Sequence, residues 1–432
     1  MPHIPLMTLP QRFSRLVVLL FLPLLSVRAS PDWPLPATTP VAAGLSPERL
    51  DMLHRNLDAE VDAGRYSGYI VMLARDGRIV DWRAHGWQEV ANRTPMQKDS
   101  IVRIYSMSKI VTSVAVLMLM EEGKLKLADP VEKFLPGLKN RQVLTGGTAD
   151  APMLAPAARP VTIRDLLTHT AGYYYDAEWS AGSPVAIELF KRAKVWEAAN
   201  LDEFVNRVAL LPLAEQPGTR FRYGISVDLL GAIVEKASGL RLDQFFAQRI
   251  FSPLGLRDTG FWVPAEKRSR LALVHARGPD GKLAAVPPDP GTPAGPDRGL
   301  LSGGGGLYST AGDYIRFAQM LLNGGQLDGV RLLGPKTVEL MTRNHIAHLA
   351  DPHPFGRAEM GFGLGVRMVT DLGRSPLLGS AGMFGWDGAA TSLVWMDPQE
   401  RLVALVLFQH FPFDQDNIFA PFTNGVYSAL EK

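Results

Sequence analysis

The sequence contains no cysteine among its 432 residues. Disulfide bonds, a thiolate nucleophile and cysteine-based zinc or iron–sulfur sites are therefore excluded. An excess of one charge is also missing, because 45 Lys and Arg against 43 Asp and Glu leave a formal net charge of +2 at pH 7. No basic run stands out, so we expect neither nucleic acid nor an anionic membrane surface as a partner.

An apolar segment near the N-terminus, residues 16–27, follows two positive charges, Arg12 and Arg15. It is shorter than the roughly 20 apolar residues that span a bilayer, and small residues allow cleavage after Ala29. We predict a signal peptide over residues 1–29, export to the periplasm or the medium, and no membrane insertion of the mature chain. A membrane anchor is the alternative interpretation.

The distribution of apolar residues predicts one large domain. Residues 30–43 are rich in proline and are interpreted as a linker, and residues 44–432 as the domain. Asp76-Gly77 is typical of a tight turn between two strands. Apolar periodicity predicts helices over 46–63, 110–120 and 419–430, hairpin strands over 69–73 and 79–82, and later strands over 363–368, 389–396 and 402–408.

Strands near both ends of the chain must join the same sheet if the domain is to have one core. We therefore predict an α+β fold with an antiparallel sheet flanked by helices, built from about 44–105 and 300–432. The mostly helical middle, about 106–299, forms a second lobe beside the sheet. A cleft between the sheet and this lobe is the default place for a functional site.

A serine and a lysine stand three residues apart, at Ser106 and Lys109, where the long apolar helix begins. Residues at this spacing share one helix face. Burial and the helix N-terminus are expected to lower the pKa of Lys109, so that its neutral amine accepts the serine proton. A helix-capping serine followed by a surface lysine produces the same pattern, and the motif alone does not decide between them.

Two further segments carry candidate site residues. Tyr223 precedes an amphipathic helix, where a tyrosine either packs in the core or shuttles a proton to the leaving group. The Trp-Asp-Gly segment at 386–388 precedes a strand, and Gly388 allows a substrate to approach the strand edge. The backbone amides of Ser106 and Ala389 are expected to form an oxyanion hole.

In this order the three pieces resemble the serine β-lactamase and penicillin-binding-protein superfamily. Most narrowly, they look like class C β-lactamases and the related family VIII carboxylesterases. Residues 162–172 and 303–310 are similar to a helix and a Gly-rich segment of those proteins, and the resemblance spans about 44–430. It implies a β-lactamase/transpeptidase-like fold.

The resemblance also implies a role for each catalytic candidate. Ser106 matches the nucleophile, Lys109 its base, and Tyr223 the tyrosine of the Tyr-x-Asn motif. Ile225 stands where that motif has asparagine. Its side chain lacks the amide that would hold a substrate amide.

The Lys-Thr-Gly motif of the superfamily is absent as well. Trp386, Asp387 and Gly388 occupy its place and resemble the Trp-Gly-Gly form of family VIII esterases. The missing lysine would pair with a β-lactam carboxylate, and Asp387, if it faces the site, would repel that carboxylate. We expect these three residues and Ile225 to contact the substrate and to favour neutral esters.

We therefore predict a serine hydrolase that cleaves small-molecule esters or amides, chiefly carboxylic esters, through a Ser106 acyl-enzyme, without metal or cofactor. One alternative is a class C-type β-lactamase or D-amino-acid peptidase or transpeptidase. Another is a non-catalytic binding protein of the same fold. His169 is interpreted as structural, because a Ser/Lys/Tyr site needs no histidine. The histidines near residue 350 lack the carboxylate motif of a metal site.

Overall fold

The computed structural model describes residues 1–3, 33–289, 291–296 and 299–431. Its α-helices are α1 (Pro47–Asp62), α2 (Ser108–Glu121), α3 (Ile163–Leu167), α4 (Glu178–Ala181), α5 (Pro184–Ala193), α6 (Leu201–Val208), α7 (Ser226–Ser238), α8 (Leu242–Phe246), α9 (Ser252–Leu254), α10 (Ala311–Leu322), α11 (Pro335–Met341) and α12 (Phe419–Ser428). Its strands are β1 (Gly68–Arg75), β2 (Arg78–Glu89), β3 (Thr94–Pro95), β4 (Val102–Arg103), β5 (Gln142–Gly147), β6 (Pro152–Pro156), β7 (His275–Arg277), β8 (Leu283–Ala285), β9 (Tyr308–Ser309), β10 (Gln326–Leu327), β11 (Val330–Arg331), β12 (Met360–Phe362), β13 (Arg367–Val369), β14 (Phe384–Gly388), β15 (Ser392–Asp397), β16 (Leu402–Phe408) and β17 (His410–Phe411).

Strands from both ends of the chain join the same antiparallel sheet, in the order β12-β13-β14-β15-β16-β1-β2-β3. β1 pairs with β16 from Tyr69 opposite Phe408 to Arg75 opposite Leu402. β1 also pairs with β2 across the turn at Asp76-Gly77. The predicted hairpin and the predicted closure of one sheet by the two chain ends are therefore confirmed.

The central strands are covered on both faces. Along β1, Ile70 and Met72 belong to a hydrophobic cluster that continues into the helical lobe, whereas Tyr69 and Val71 belong to a second cluster with α1 and α12. Successive side chains of a strand point to opposite faces. A strand that is buried on both faces must be apolar throughout, which explains the continuous apolar runs in β1 and β16.

Helix α2 lies at the centre of the helical lobe and packs against α7. Its residues from Ser108 to Leu119 are all buried, and most of them are apolar. Apolar residues on all sides of a helix are typical of a position in the core. Lys109 belongs to this buried part of α2, so its side-chain amine is largely excluded from water.

Two of the predicted strands are wrong in detail. The strand expected over 363–368 is a hairpin, in which β12 and β13 flank a turn where Gly365 has φ +84°. The strand expected from Ala389 begins at Ser392, because Thr391 has φ +59° and the chain turns before it. Both turns interrupt runs whose apolar character by itself predicts a continuous strand.

The part of the predicted linker that the structure describes packs against the domain. Leu35 is 5% exposed and belongs to the main core. The amide of Thr38 donates to the carbonyl of Ile79 at 2.8 Å. The apolar run at 16–27 lies outside the described residues, so the signal peptide stays a prediction. Among the residues that the structure does describe, no helix is long and apolar enough to cross a membrane.

Candidate active site

A cleft of 420 Å³ lies where the C-terminal end of β14 meets the helical lobe. Ser106, Tyr223 and Ala389 line it, so the fold brings together three segments that are far apart in the sequence.

Ser106 lies in a short 3₁₀ helix, Tyr105–Met107, immediately before α2. The residue before it, Tyr105, has φ +43°. A left-handed backbone conformation is uncommon for a residue other than glycine and costs on the order of 1–3 kcal/mol. Strain of this kind is concentrated at functional sites, where the surrounding structure holds the backbone in place.

Lys109 is directed at the serine. Its Nζ donates to Ser106 Oγ at 3.1 Å and to the carbonyl oxygen of Gly304 at 2.6 Å. The same atom lies 4.8 Å from the ring centre of Tyr223 and 5.7 Å from that of Tyr175. The lysine is 1% exposed. The alternative interpretation, a helix-capping serine followed by a surface lysine, is therefore wrong about Lys109, which is buried.

The expected direction of the lysine pKa is wrong. Burial does act to lower the pKa of Lys109, as the sequence suggested. The phenol groups of Tyr175 and Tyr223 and the carboxylate of Asp228 outweigh burial, and together they raise the pKa above its ordinary value. Proton exchange at Lys109 is therefore coupled to its polar neighbours and is not set by burial alone.

Tyr223 is held from several sides. Its backbone carbonyl accepts a hydrogen bond from Ser180 Oγ at 2.6 Å, and its phenol oxygen accepts one from Trp386 Nε1 at 3.4 Å. Trp179 stacks on its ring, with centroids 6.1 Å apart and planes 26° apart. The ring of His169 lies behind it at 4.7 Å. The phenol is thereby fixed beside the amine of Lys109.

The candidate oxyanion donors lie at the same end of the cleft. Ser106 and Ala389, whose backbone amides are the candidate donors, both line the cleft. A Cβ atom at Gly388 would lie 2.4 Å from the carbonyl oxygen of Ile104. The glycine therefore lets the serine segment approach β14 closely. The sequence had assigned this close approach to the substrate.

Asp387 does not face the cleft. Its carboxylate forms an ion pair with Nη1 of Arg367 on the neighbouring strand β13. The side chains of Asp387 and Arg367 are 15% and 10% exposed, respectively. The positive charge of Arg367 offsets this negative charge, and Asp387 is not among the residues that line the cleft. The role expected for Asp387 in selecting neutral substrates is therefore corrected.

Two other expected substrate contacts lie behind the cleft wall. Trp386 is 1% exposed and contacts Tyr223 rather than open space. Ile225 is fully buried immediately before α7. Because neither side chain lines the cleft, Trp386 acts on the site by supporting the phenol, and Ile225 acts by filling the core.

The sequence interpretation missed a carboxylate at the base of the cleft. Asp228, in the first turn of α7, is fully buried and yet lines the cleft. Its Oδ1 accepts hydrogen bonds from Gly304 N at 3.0 Å and from Ser302 Oγ at 2.5 Å. The available signal was a charged residue within the otherwise apolar run from Val227 to Val234.

An aromatic wall along the cleft was also missed. Tyr175, Trp179 and Trp196 all line the cleft beside Tyr223. Tyr175 stacks on Trp196 with ring centroids 6.1 Å apart, and Trp179 is 64% exposed. These three residues lie between α3 and α6, and their spacing along the sequence is irregular. Only the tertiary fold shows that they share one surface.

His169 is buried, and neither ring nitrogen has a hydrogen-bond partner among the described residues. Burial, assisted by the charge of Lys109, lowers its pKa well below the ordinary value, so the ring stays neutral. This placement agrees with a packing role. In the described ranges, no group of three His, Asp or Glu side chains could hold a metal ion.

Comparison with known proteins assigns the chain to a family. Residues 53–423 match the family described as Beta-lactamase. The chain belongs to the β-lactamase family. Protein Rv1367c of Mycobacterium tuberculosis is 36% identical over 361 residues, which cover 81% of this chain and 88% of that protein. Lovastatin esterase of Penicillium rubens is 30% identical over 393 residues, which cover 83% and 92%, respectively.

A solved structure agrees with this assignment. EstCE1, described as a hydrolase with promiscuous acyltransferase activity, has a TM-score of 0.73 and 25% sequence identity. The match covers 90% of this chain and all of that chain. The β-lactamase/transpeptidase-like fold predicted from the sequence is confirmed. As a member of the β-lactamase family with relatives that are named hydrolases and esterases, this protein is a serine hydrolase.

Proposed function

We propose that this β-lactamase-family enzyme is an exported carboxylesterase that cleaves neutral esters through an acyl-enzyme on Ser106. The observation that carries the proposal is the hydrogen bond of 3.1 Å from Lys109 Nζ to Ser106 Oγ inside the cleft. Tyr223 and the amide of Ala389 line the same cleft. Nucleophile, proton acceptor and oxyanion donors therefore surround one space in which a carbonyl group fits.

Acylation begins when Ser106 Oγ attacks the ester carbonyl carbon. Its proton passes to the pair formed by Lys109 and Tyr223, which reacts in the form that has lost one proton. The amides of Ser106 and Ala389 bind the negative oxygen of the tetrahedral intermediate, and each such donor is typically worth about 10²–10³ in rate. When the intermediate collapses, the C–O bond breaks and the pair returns the proton to the leaving alcohol.

Deacylation repeats these steps with water. The pair removes a proton from the water molecule as its oxygen attacks the acyl carbonyl, and the same two amides stabilise the second intermediate. Collapse breaks the bond to Ser106 Oγ, and the pair returns the proton to that oxygen. The products are a carboxylic acid and the free enzyme.

The charges around the cleft favour neutral substrates. Among the described lining residues, the cationic side chain is Arg103, and its Nη1 already pairs with Asp289 at 2.8 Å. Lys109 is turned inward to Ser106 and Gly304. A substrate carboxylate therefore finds no described cation that is free to bind it. The expected preference for neutral esters therefore does not depend on the charge of Asp387, which is paired with Arg367.

The aromatic wall suggests which esters fit. Tyr175, Trp179 and Trp196 present flat apolar surfaces beside the nucleophile. Burying such surfaces against an apolar group is favourable by about 25 cal/mol per Å². We expect esters with apolar acyl groups, and ring-bearing ones in particular, to bind well. The name of lovastatin esterase supports ester chemistry at the family level, and EstCE1 is described as a hydrolase.

The decisive experiment compares p-nitrophenyl butyrate with a chromogenic cephalosporin in the wild type and in Ser106→Ala. We expect kcat/KM to favour the ester strongly, and we expect the variant to lose both turnover and labelling by a fluorophosphonate. Ser113→Ala is the matched control, because this buried serine of the same helix has no hydrogen-bond partner among the described residues. It should remain labelled and active.

The β-lactamase and the binding protein each have their own outcome in this experiment. A preference for the cephalosporin would indicate a β-lactamase. Failure of the wild type to turn over either substrate or to be labelled would indicate a binding protein. Label that persists in Ser106→Ala would move the nucleophile to another residue.

Export has a separate test. If residues 1–29 are a cleaved signal peptide, mass spectrometry of the secreted or periplasmic protein should find a mature chain that begins near Ser30. A mature protein that retains residues 16–27 would indicate membrane anchoring instead.

A further inference from the structure

We propose that Asp228 is a positioning residue for Lys109: its carboxylate holds Gly304 in place and stabilises the lysine charge after proton uptake from Ser106. The inference rests on the proposed function, because it assumes that Ser106 loses its proton to the pair containing Lys109. It goes beyond that function by assigning a second buried charge to the reaction.

The geometry links the carboxylate to the amine through one residue. Asp228 Oδ1 accepts a hydrogen bond from Gly304 N at 3.0 Å. The carbonyl oxygen of Gly304 accepts one from Lys109 Nζ at 2.6 Å. Ser302 Oγ donates to the same Oδ1 at 2.5 Å and anchors the start of the Gly-rich segment. Displacement of Asp228 would therefore move the carbonyl that orients the lysine.

The second carboxylate oxygen points to an electrostatic role. Asp228 Oδ2 is buried and has no hydrogen-bond partner among the described residues. A buried, unpartnered carboxylate oxygen is costly unless an opposite charge compensates it. Burial raises the pKa of Asp228, and the ammonium of Lys109, on the other side of Gly304, acts against that rise. In turn, the carboxylate favours the protonated lysine, which is the state that proton transfer from Ser106 produces.

The sequence of the Gly-rich segment fits the carboxylate sterically. A Cβ atom at Gly304 would lie 2.4 Å from Asp228 Oδ2, so the carboxylate occupies the space that any larger residue would need. A Cβ atom at Gly305 would lie 3.8 Å from Ser302 Oγ, which is ordinary contact. Two adjacent glycines therefore differ in whether a side chain would displace Asp228.

Several titratable groups face Lys109 from the elements packed around it. Asp228 comes from α7, Tyr223 from the segment before α7, and Tyr175 and His169 from the segment after α3. Burial keeps His169 neutral. Asp228 is thus the carboxylate in this group, and its contribution is to raise the pKa of the lysine.

The test measures the rate of fluorophosphonate labelling of Ser106 against pH, from pH 5 to 11, in the wild type and in Asp228→Asn. Asparagine keeps the shape and one acceptor oxygen but loses the charge. We expect the inflection of the rate profile to fall by about one pH unit or more, as happens when an opposite charge near an amine is removed. The limiting rate should fall as well.

Ser302→Ala is the control in this experiment, because it removes a hydrogen bond to Asp228 while leaving the charge. Its inflection should match the wild type even if its rate is lower. A merely structural role for Asp228 would lower the rate of Asp228→Asn without moving the inflection, and that result would overturn the proposal. A wild type that is not labelled at Ser106 would instead refute the proposed function.

A second pair of variants tests the geometry, including the case in which Asp228→Asn does not fold. Gly304→Ala should slow labelling by about tenfold or more, because the added Cβ would displace Asp228 or the Gly304 carbonyl that orients Lys109. Gly305→Ala should cause a clearly smaller loss. Circular dichroism checks that both variants are folded. Equal losses in two folded variants would contradict the positioning role.

Discussion

Asp387 offers the sharpest test of how β14 is oriented. Its carboxylate pairs with Arg367, and the guanidinium lies 4.8 Å from the ring centre of Trp395 and 5.4 Å from that of Trp386. In Asp387→Asn the guanidinium keeps its buried position but loses its counter-charge. We therefore expect this substitution to affect stability and not substrate selection.

The magnitude follows from burial. The side chains of Asp387 and Arg367 are 15% and 10% exposed, and removing one partner of a buried pair costs about 3–5 kcal/mol. Because some exposure remains, we expect the lower end of that range. The exposed pair Asp76–Arg401 provides a control, since its side chains are 46% and 65% exposed. Asp76→Asn should cost less than about 1 kcal/mol.

The assay is urea unfolding followed by tryptophan fluorescence, together with kcat/KM for a neutral ester and a cephalosporin. A loss of about 3 kcal/mol is a large fraction of the 5–15 kcal/mol that typically stabilises a protein, so the midpoint should move clearly. The ratio of the two kcat/KM values should not change. If Asp387→Asn is as stable as Asp76→Asn, or if the ratio shifts towards the cephalosporin, the reasoning is refuted and Asp387 faces the substrate.

Three further predictions concern the cleft. Trp179→Ala should raise KM more for p-nitrophenyl benzoate than for the acetate, with little change in the unfolding midpoint, because this side chain is 64% exposed; equal changes in KM would exclude it from acyl binding. Because the pKa of Lys109 is raised, the reactive form should increase with pH, and kcat/KM for a neutral ester should rise from pH 6 to 9; a flat profile would contradict this. Gly388→Ala should abolish fluorophosphonate labelling in a protein with normal circular dichroism, since its Cβ would meet the carbonyl of Ile104; normal labelling would show that the serine segment tolerates displacement.

Much of the candidate site was predictable because it depends on local spacing. Ser106 and Lys109 are three residues apart at the start of a helix, so their contact needs only one helical turn. The hairpin of β1 and β2 depends on a two-residue turn, and the extent of β16 depends on one apolar run. The single sheet was predictable because strands near both ends of the chain must join one sheet if the domain is to have one core.

The tertiary structure decided what each side chain faces. Asp387 is neutralised by Arg367, and this pairing depends on the register between β13 and β14. Along a strand, a shift of one residue sends a side chain to the opposite face, so the sequence around Asp387 could not show its direction. The sequence also could not show why residue 388 is glycine. The absence of a side chain there lets the backbone carbonyl of Ile104 approach β14 closely.

The electrostatics of the nucleophile were also outside the reach of local patterns. Burial of Lys109 is a property of its own apolar helix, and the sequence predicted it. The sign of its pKa shift depends on Tyr175, Tyr223 and Asp228, which reach the amine from other parts of the fold. Charges act through space, so their effect on the amine is determined only when packing sets the distances between them.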